Sequence, residues 1–207
     1  MTAIRLLVAE RDITTFRVDA IVNSAHGVQC GRGGLNGHIH HLAGVRLLQA
    51  SLGLRGQTVG AVRLTLGYQL PARYILHAFA PTAHGPTEEE QQLLAQCYRR
   101  ALALASQRQF RTLVFPVLGS GEHGFPFALA ATIALTEIQQ YLDHDTTLEY
   151  IIVTVDDDRG YDLSNLSKDI LGYFMDEGWL LADLWESPLR RIQRSPNSQQ
   201  RTRRGFS

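Results

Sequence analysis

Two glycine-rich stretches hold the residues with most chemical promise. The first, residues 27–37, contains Gly27, Gly31, Gly33, Gly34 and Gly37. It follows an apolar run, Ala20-Ile21-Val22, that breaks at Asn23, and it leads into Ile39-His40-His41-Leu42-Ala43, the opening turns of a helix. The second, Gly119-Ser120-Gly121-Glu122-His123-Gly124-Phe125, also follows an apolar run and is closed by Pro126. Strand, glycine loop and helix start together are suited to holding phosphate. Glycines let the backbone turn sharply and approach a ligand. Unpaired N–H groups at a helix start, at the positive end of its dipole, favour an anion. Such loops also serve as plain connectors, so neither alone assigns a function. A metal is a further possibility to weigh, because His26, Cys30, His38, His40 and His41 lie within sixteen residues and are zinc-ligand types. No Cys-x-x-Cys pair accompanies them, and on a helix His38 and His41 face away from His40. No metal is expected.

The elements that must position these loops follow from periodicity. Strands are expected over residues 4–9, 18–22, 60–65, 73–80, 111–118 and 148–155, and helices over 36–48, 88–108 and 126–142. Thr87 with Glu90 three residues on is a capping box for the second helix. Pro126 suits the first position of the third. Strands alternating with helices predict an α/β layered domain with a largely parallel sheet. Such sheets bind ligands outside the carboxyl ends of their strands. Both glycine loops and the cluster Asp156-Asp157-Asp158 fall at strand ends, which strengthens the phosphate reading.

Composition bounds the rest. The chain has 207 residues, 44% of them apolar, enough for one core. No apolar run is long enough to span a bilayer, and the N-terminus has no secretory pattern. Two cysteines form no disulfide framework, so a cytoplasmic setting is expected. The net charge of zero hides an asymmetry. Residues 189–207 contain six arginines and no acid, and the remainder carries 14 basic against 20 acidic residues, a net of −6. An acidic body speaks against a broad nucleic-acid-binding face, and leaves nucleic-acid contact to the basic tail. A closing helix is expected over residues 163–174, a short amphipathic segment over 179–192, and disorder in the tail.

In this order the motifs resemble those of the macrodomain family of ADP-ribose-binding modules. Asp12-Ile13-Thr14 is similar to the segment after that family's first strand. Residues 18–25, ending in Asn23-Ser24-Ala25, resemble its strand closing on Asn-Ala-Ala-Asn. Residues 31–37 resemble its first phosphate loop, with Ile39-His40 and Ala43-Gly44 as the helix after it. Gly60-Ala61, Thr65, Gly67-Tyr68, Leu70-Pro71, His77 and Pro81 follow its central strands. Phe115-Pro116, Gly119-Ser120-Gly121 and Gly124-Phe125-Pro126 resemble its second phosphate loop. The resemblance implies a three-layer α/β/α macrodomain with a mixed, largely parallel central sheet over residues 1–175, followed by an extension over 176–207. It implies that Asp12 accepts the adenine amino group with the Ile13 backbone nearby, and that Asn23 shapes the distal-ribose pocket. Gly31, Arg32, Gly33, Gly34 and Leu35 in the first loop, and Ser120, Gly121, Gly124 and Phe125 in the second, would wrap the diphosphate. Asp156 would begin a loop near the adenosine, with Tyr161 a candidate to stack on adenine. His40 would be a packing residue.

The chain departs from the family pattern at one end of the expected ligand. The second Asn of Asn-Ala-Ala-Asn is His26, and the aspartate of the hydrolytic Val-Asp-Gly is Asn36, in Leu35-Asn36-Gly37. Glu122 and His123 replace the aliphatic and aromatic residues between the second-loop glycines. Asn36 cannot act as a general base. His26, Glu122 and His123 are of the types that could rebuild acid–base chemistry, since histidine titrates near neutrality and a carboxylate can set its tautomer. The expectation is a reader or weak hydrolase of mono-ADP-ribosylated protein or nucleic acid, acting without a cofactor. The alternatives are an active ADP-ribosyl hydrolase using His26, Glu122 and His123, and a module for a related nucleotide such as ADP-ribose 1″-phosphate, for which Arg32 offers a cation.

Overall fold

The apolar runs that read as strands build one six-stranded sheet. The structure, a computed structural model, describes residues 6–25, 33–144 and 147–155. The strands are β1 (Leu6–Glu10), β2 (Ala20–Ala25), β3 (Val62–Leu66), β4 (Tyr74–Phe79), β5 (Thr112–Pro116) and β6 (Tyr150–Val155). Their order is β1-β6-β5-β2-β4-β3. Every pairing is parallel except β3 with β4, an antiparallel edge. The helices are α1 (Gly34–Ala43), α2 (Val45–Leu52), α3 (Glu88–Gln107) and α4 (Phe127–Leu142).

Alternation along each central strand feeds two cores, because successive side chains leave opposite faces. Ala20, Val22, Leu76, Leu113, Phe115, Ile151 and Val153 pack with Leu94, Tyr98, Leu102, Ala134 and Ile138 of α3 and α4. Ile21, Ile75, Val114 and Ile152 pack on the other face with Ile39 and Ala43 of α1 and Leu47 of α2. The result is the expected mixed, largely parallel sheet between helical layers. No helix among the described residues is long and apolar enough to cross a membrane.

Several boundaries differ from expectation by a few residues, Pro126 is the N-cap of α4 rather than its first residue, and two differences bear on the site. Strand β2 does not break at Asn23 but runs on to Ala25, because Asn23 and Ser24 keep register with His77 and Ala78 of β4. The single helix expected over residues 36–48 begins earlier, at Gly34, and is two helices. Gly44 divides them with φ +83°, a conformation that L side chains rarely adopt. The helix expected over 163–174, the extension over 176–207 and its basic tail lie outside the described residues.

Candidate functional site

The second glycine loop meets Gly33 and Gly34 at the N-terminus of α1. Gly33 caps that helix without a side-chain hydrogen bond and has φ +68°; Gly34 follows at +47°. Gly33 therefore lends no side-chain oxygen to the first turn of α1. Glu122 reaches across from the second loop and lies over this helix start. A β-carbon on Gly33 would stand 2.5 Å from Glu122 Oε1, and one on Gly34 would stand 3.0 Å from Oε2. Glycine at both positions is what allows the carboxylate to rest there.

The second loop is held from three sides. Tyr98, fully buried on α3, donates its hydroxyl hydrogen to the Pro116 carbonyl (3.4 Å) and accepts from the Leu118 N–H (2.8 Å). Burial pushes the Tyr98 phenol pKa up, so it stays protonated. Inside the loop, the N–H groups of Ser120, Gly124 and Phe125 donate to the carbonyls of Val117, Gly121 and Gly119. The Ser120 hydroxyl donates to Val117 O at 2.8 Å. Phe125 places its ring in the α3/α4 core. His123 is buried, and its Nδ1–H donates to the Pro81 carbonyl at 3.1 Å, while its own carbonyl accepts from Ala83 N–H at 2.7 Å. His123 thus straps the loop to the chain leaving β4. Gly124 has φ +80°, and a β-carbon there would collide with the Ala83 carbonyl oxygen.

Between the sheet and α1 lies a buried polar chain. Asn23 Nδ2 donates to Asn36 Oδ1 at 2.8 Å and lies 3.2 Å from His77 Nδ1. His77 Nε2 lies 2.9 Å from Thr65 Oγ1, and that hydroxyl donates to the Leu66 carbonyl at 3.2 Å. His40 stands beside His77 with ring centroids 6.3 Å apart. Burial, and secondarily the neighbouring His40, push the His77 pKa down to about 3. Burial lowers that of His40 as well. Asn23 Oδ1 is fully buried and has no hydrogen-bond partner among the described residues.

Asp12 sits at the opposite edge, capping the short turn Ile13–Thr15. Its Oδ1 accepts from the Thr14 N–H (2.8 Å) and hydroxyl (2.7 Å). Its Oδ2 lies 2.9 Å from His38 Nε2. Burial opposes the Asp12 charge, but the hydrogen bonds from His38 and Thr14 outweigh it and hold its carboxyl below the usual range. The Ile13 side chain belongs to the α1 core, and Leu35 packs against the same cluster.

The structure therefore brings together Asn23, Asn36, Gly33, Gly34 and Glu122, with Ser120, Gly121, Gly124 and Phe125 shaping the second loop. It sets Asp12 apart with His38. His26, Gly31, Arg32, Asp156 and Tyr161 lie outside the described residues, as does Cys30. His38 and His40 are engaged by different neighbours. No group of three or more His, Cys, Asp or Glu among the described residues is placed to hold a metal. Sequence reasoning weighed His38 only as a metal ligand and placed Thr65 and His77 only in the pattern of the central strands. Their partners Asp12, His77 and Asn23 are 26, 12 and 54 residues away in the chain, and strand register alone brings His77 beside Asn23.

Comparison with known proteins bears on this site. A family model described as Macro domain matches residues 22–134. A macro domain-containing protein of Chlorobaculum tepidum is 41% identical over 152 residues, covering 73% of this chain and 88% of that protein. The ADP-ribose glycohydrolase MACROD2 of Xenopus laevis is 42% identical over 132 residues, which are 63% of this chain and 32% of that protein. A Trypanosoma brucei macrodomain solved in complex with ADP-ribose superimposes with a TM-score of 0.70 at 32% identity, covering 82% of this chain and 69% of that one.

Proposed function

This chain belongs to the macro domain family, and on that premise we propose that it is a reader or weak hydrolase of mono-ADP-ribosylated targets with a remodelled distal-ribose pocket. One observation carries the reading. Asn36, where hydrolytic relatives are expected to have aspartate, is buried in the first turn of α1, and its carboxamide oxygen accepts from Asn23. A carboxamide does not take a proton from water near neutral pH, so this position binds and orients but does not activate a nucleophile. The α1 start, backed by the second loop, offers N–H groups for a diphosphate. Asp12, held ionised, is an acceptor for the adenine amino group and shares its Oδ2 with His38. Any reaction would break the bond between C1″ of the distal ribose and its acceptor, with water supplying the hydroxyl.

A second reading, an active hydrolase, draws on Glu122, whose carboxylate rests at the α1 start. His26 would complete it, whereas His123 is turned towards Pro81. The basic residues 189–207 would add nucleic-acid contact, which deletion and a salt titration would test. The deciding experiment pairs calorimetric titration of ADP-ribose and ADP-ribose 1″-phosphate with turnover of a mono-ADP-ribosylated protein. We expect micromolar ADP-ribose binding, slow turnover, and acceleration by Asn36→Asp of about tenfold or more. Rapid wild-type turnover that Glu122→Ala abolishes would favour the second reading, and absence of ADP-ribose binding would refute both.

A further inference from the structure

We propose that His77 and Thr65 are positioning residues that hold the Asn23 carboxamide with its oxygen unpartnered, so that this end of the site selects a ligand carrying a hydroxyl donor. The proposal rests on the ADP-ribose reading above, in which that donor is a hydroxyl of the distal ribose.

The direction of the whole chain is set by one backbone carbonyl on the edge strand. A carbonyl only accepts, so the Thr65 hydroxyl hydrogen goes to Leu66 O. Thr65 Oγ1 must then accept from His77, which places the ring proton on Nε2. His77 Nδ1 is left with a lone pair, and it accepts from Asn23 Nδ2. The other Nδ2 hydrogen goes to Asn36 Oδ1. Both amide hydrogens are thereby engaged, and Oδ1 is the atom that remains. Turning the amide over would set its oxygen against two acceptors, the His77 Nδ1 and Asn36 Oδ1 lone pairs. Asn23 is thus held in one orientation by His77 and Asn36.

The atom so left is the one with no partner among the described residues. Asn23 is fully buried, and an acceptor left unsatisfied in that setting is costly to retain. It is offset when a donor arrives, and among the groups of ADP-ribose at that end the hydroxyls of the distal ribose are the donors. His77 is suited to its part because it stays neutral. A protonated ring would offer Nδ1–H to Asn23 and favour the reversed amide.

Two measurements test this. Nitrogen NMR of the histidine side chains in the wild-type protein should show His77 as the neutral Nε2–H tautomer; the Nδ1–H tautomer would overturn the proposal. Titrations of ADP-ribose and ADP, which lacks the distal ribose, should then separate the two ends of the site. His77→Leu should weaken ADP-ribose binding about fivefold, the loss of roughly one hydrogen bond, and leave ADP nearly unchanged. Thr65→Val, at a half-exposed position that should not disturb folding, should act in the same direction, and Thr65→Ser should restore binding. Equal losses for both ligands, with wild type binding normally, would overturn the positioning role alone. A wild-type protein that binds neither ligand would overturn it together with the reading of the site.

Discussion

At the scale of single residues, the departures from the family pattern carry the proposed differences in chemistry. Glu122 is the clearest. Its carboxylate lies over Gly33 and Gly34, at the helix start where a diphosphate would be held. Two unit charges 4 Å apart repel by about 4 kcal/mol at an effective dielectric of ~20. A flexible side chain can swing away and avoid most of that. Glu122→Gln, which keeps the shape and removes the charge, should therefore tighten ADP-ribose binding several-fold in a calorimetric titration. A loss of affinity would instead make Glu122 a ligand contact. The substitutions at positions 26, 36, 122 and 123 were visible in the sequence, as was Asp12. The meeting of Asp12 with His38 was not, since nothing in a helical pattern shows which side of α1 faces the turn after β1.

At the scale of elements, local signals were reliable where the stabilising groups are close in sequence. The Thr87–Glu90 capping box forms as expected, with Glu90 N–H donating to Thr87 Oγ1 (3.2 Å) and Thr87 N–H to Glu90 Oε2 (2.7 Å). Thr87→Ala should lower stability by about 1 kcal/mol, read as a shift of the urea midpoint without a change of slope. Gly124→Ala should cost more, about 2 kcal/mol or above, because it combines a left-handed backbone with a collision at Ala83 O. It should also weaken ADP-ribose binding by displacing the second loop, and an unaffected variant would mean that this loop does not shape the site. The split at Gly44 was missed because the apolar spacing continues through it. The extension of β2 past Asn23 was missed because a polar residue in a strand is explained only by its partner, here His77 across β4.

At the scale of the molecule, the buried histidines link folding to pH. The native His77 pKa is about 3, whereas an unfolded chain titrates near the ordinary value of 6.5. Below that value the unfolded state takes up a proton that the native state refuses. Stability from this group is complete above pH 6.5 and is lost as pH falls towards 3, by up to about 1.4 kcal/mol per pH unit. His40, also lowered by burial, adds in the same direction. Urea midpoints measured from pH 8 to pH 4.5 should therefore decline below pH 6.5. A flat profile would show that His77 is charged, or solvated, in the native protein. Because protonation also removes the Nδ1 acceptor, ADP-ribose affinity should not outlast the fold in acid.

The sequence by itself determined the α/β class, the placement of both glycine loops at strand ends, the family pattern and the replacement of the expected catalytic aspartate by Asn36. Each of these depends on residue types at short range or in linear order: alternation, helical spacing, glycine clusters, a capping pair. Only the tertiary structure decided how those residues are used. Strand order brings β2 between β4 and β5, which sets Asn23 beside His77 and so beyond reach of solvent. The packing of α1 on that face supplies Asn36, and the fold of the second loop carries Glu122 onto Gly33 and Gly34. Hydrogen bonds and charge contacts fall off within a few ångströms, so their partners are settled by proximity in space, which the linear order of this chain does not record.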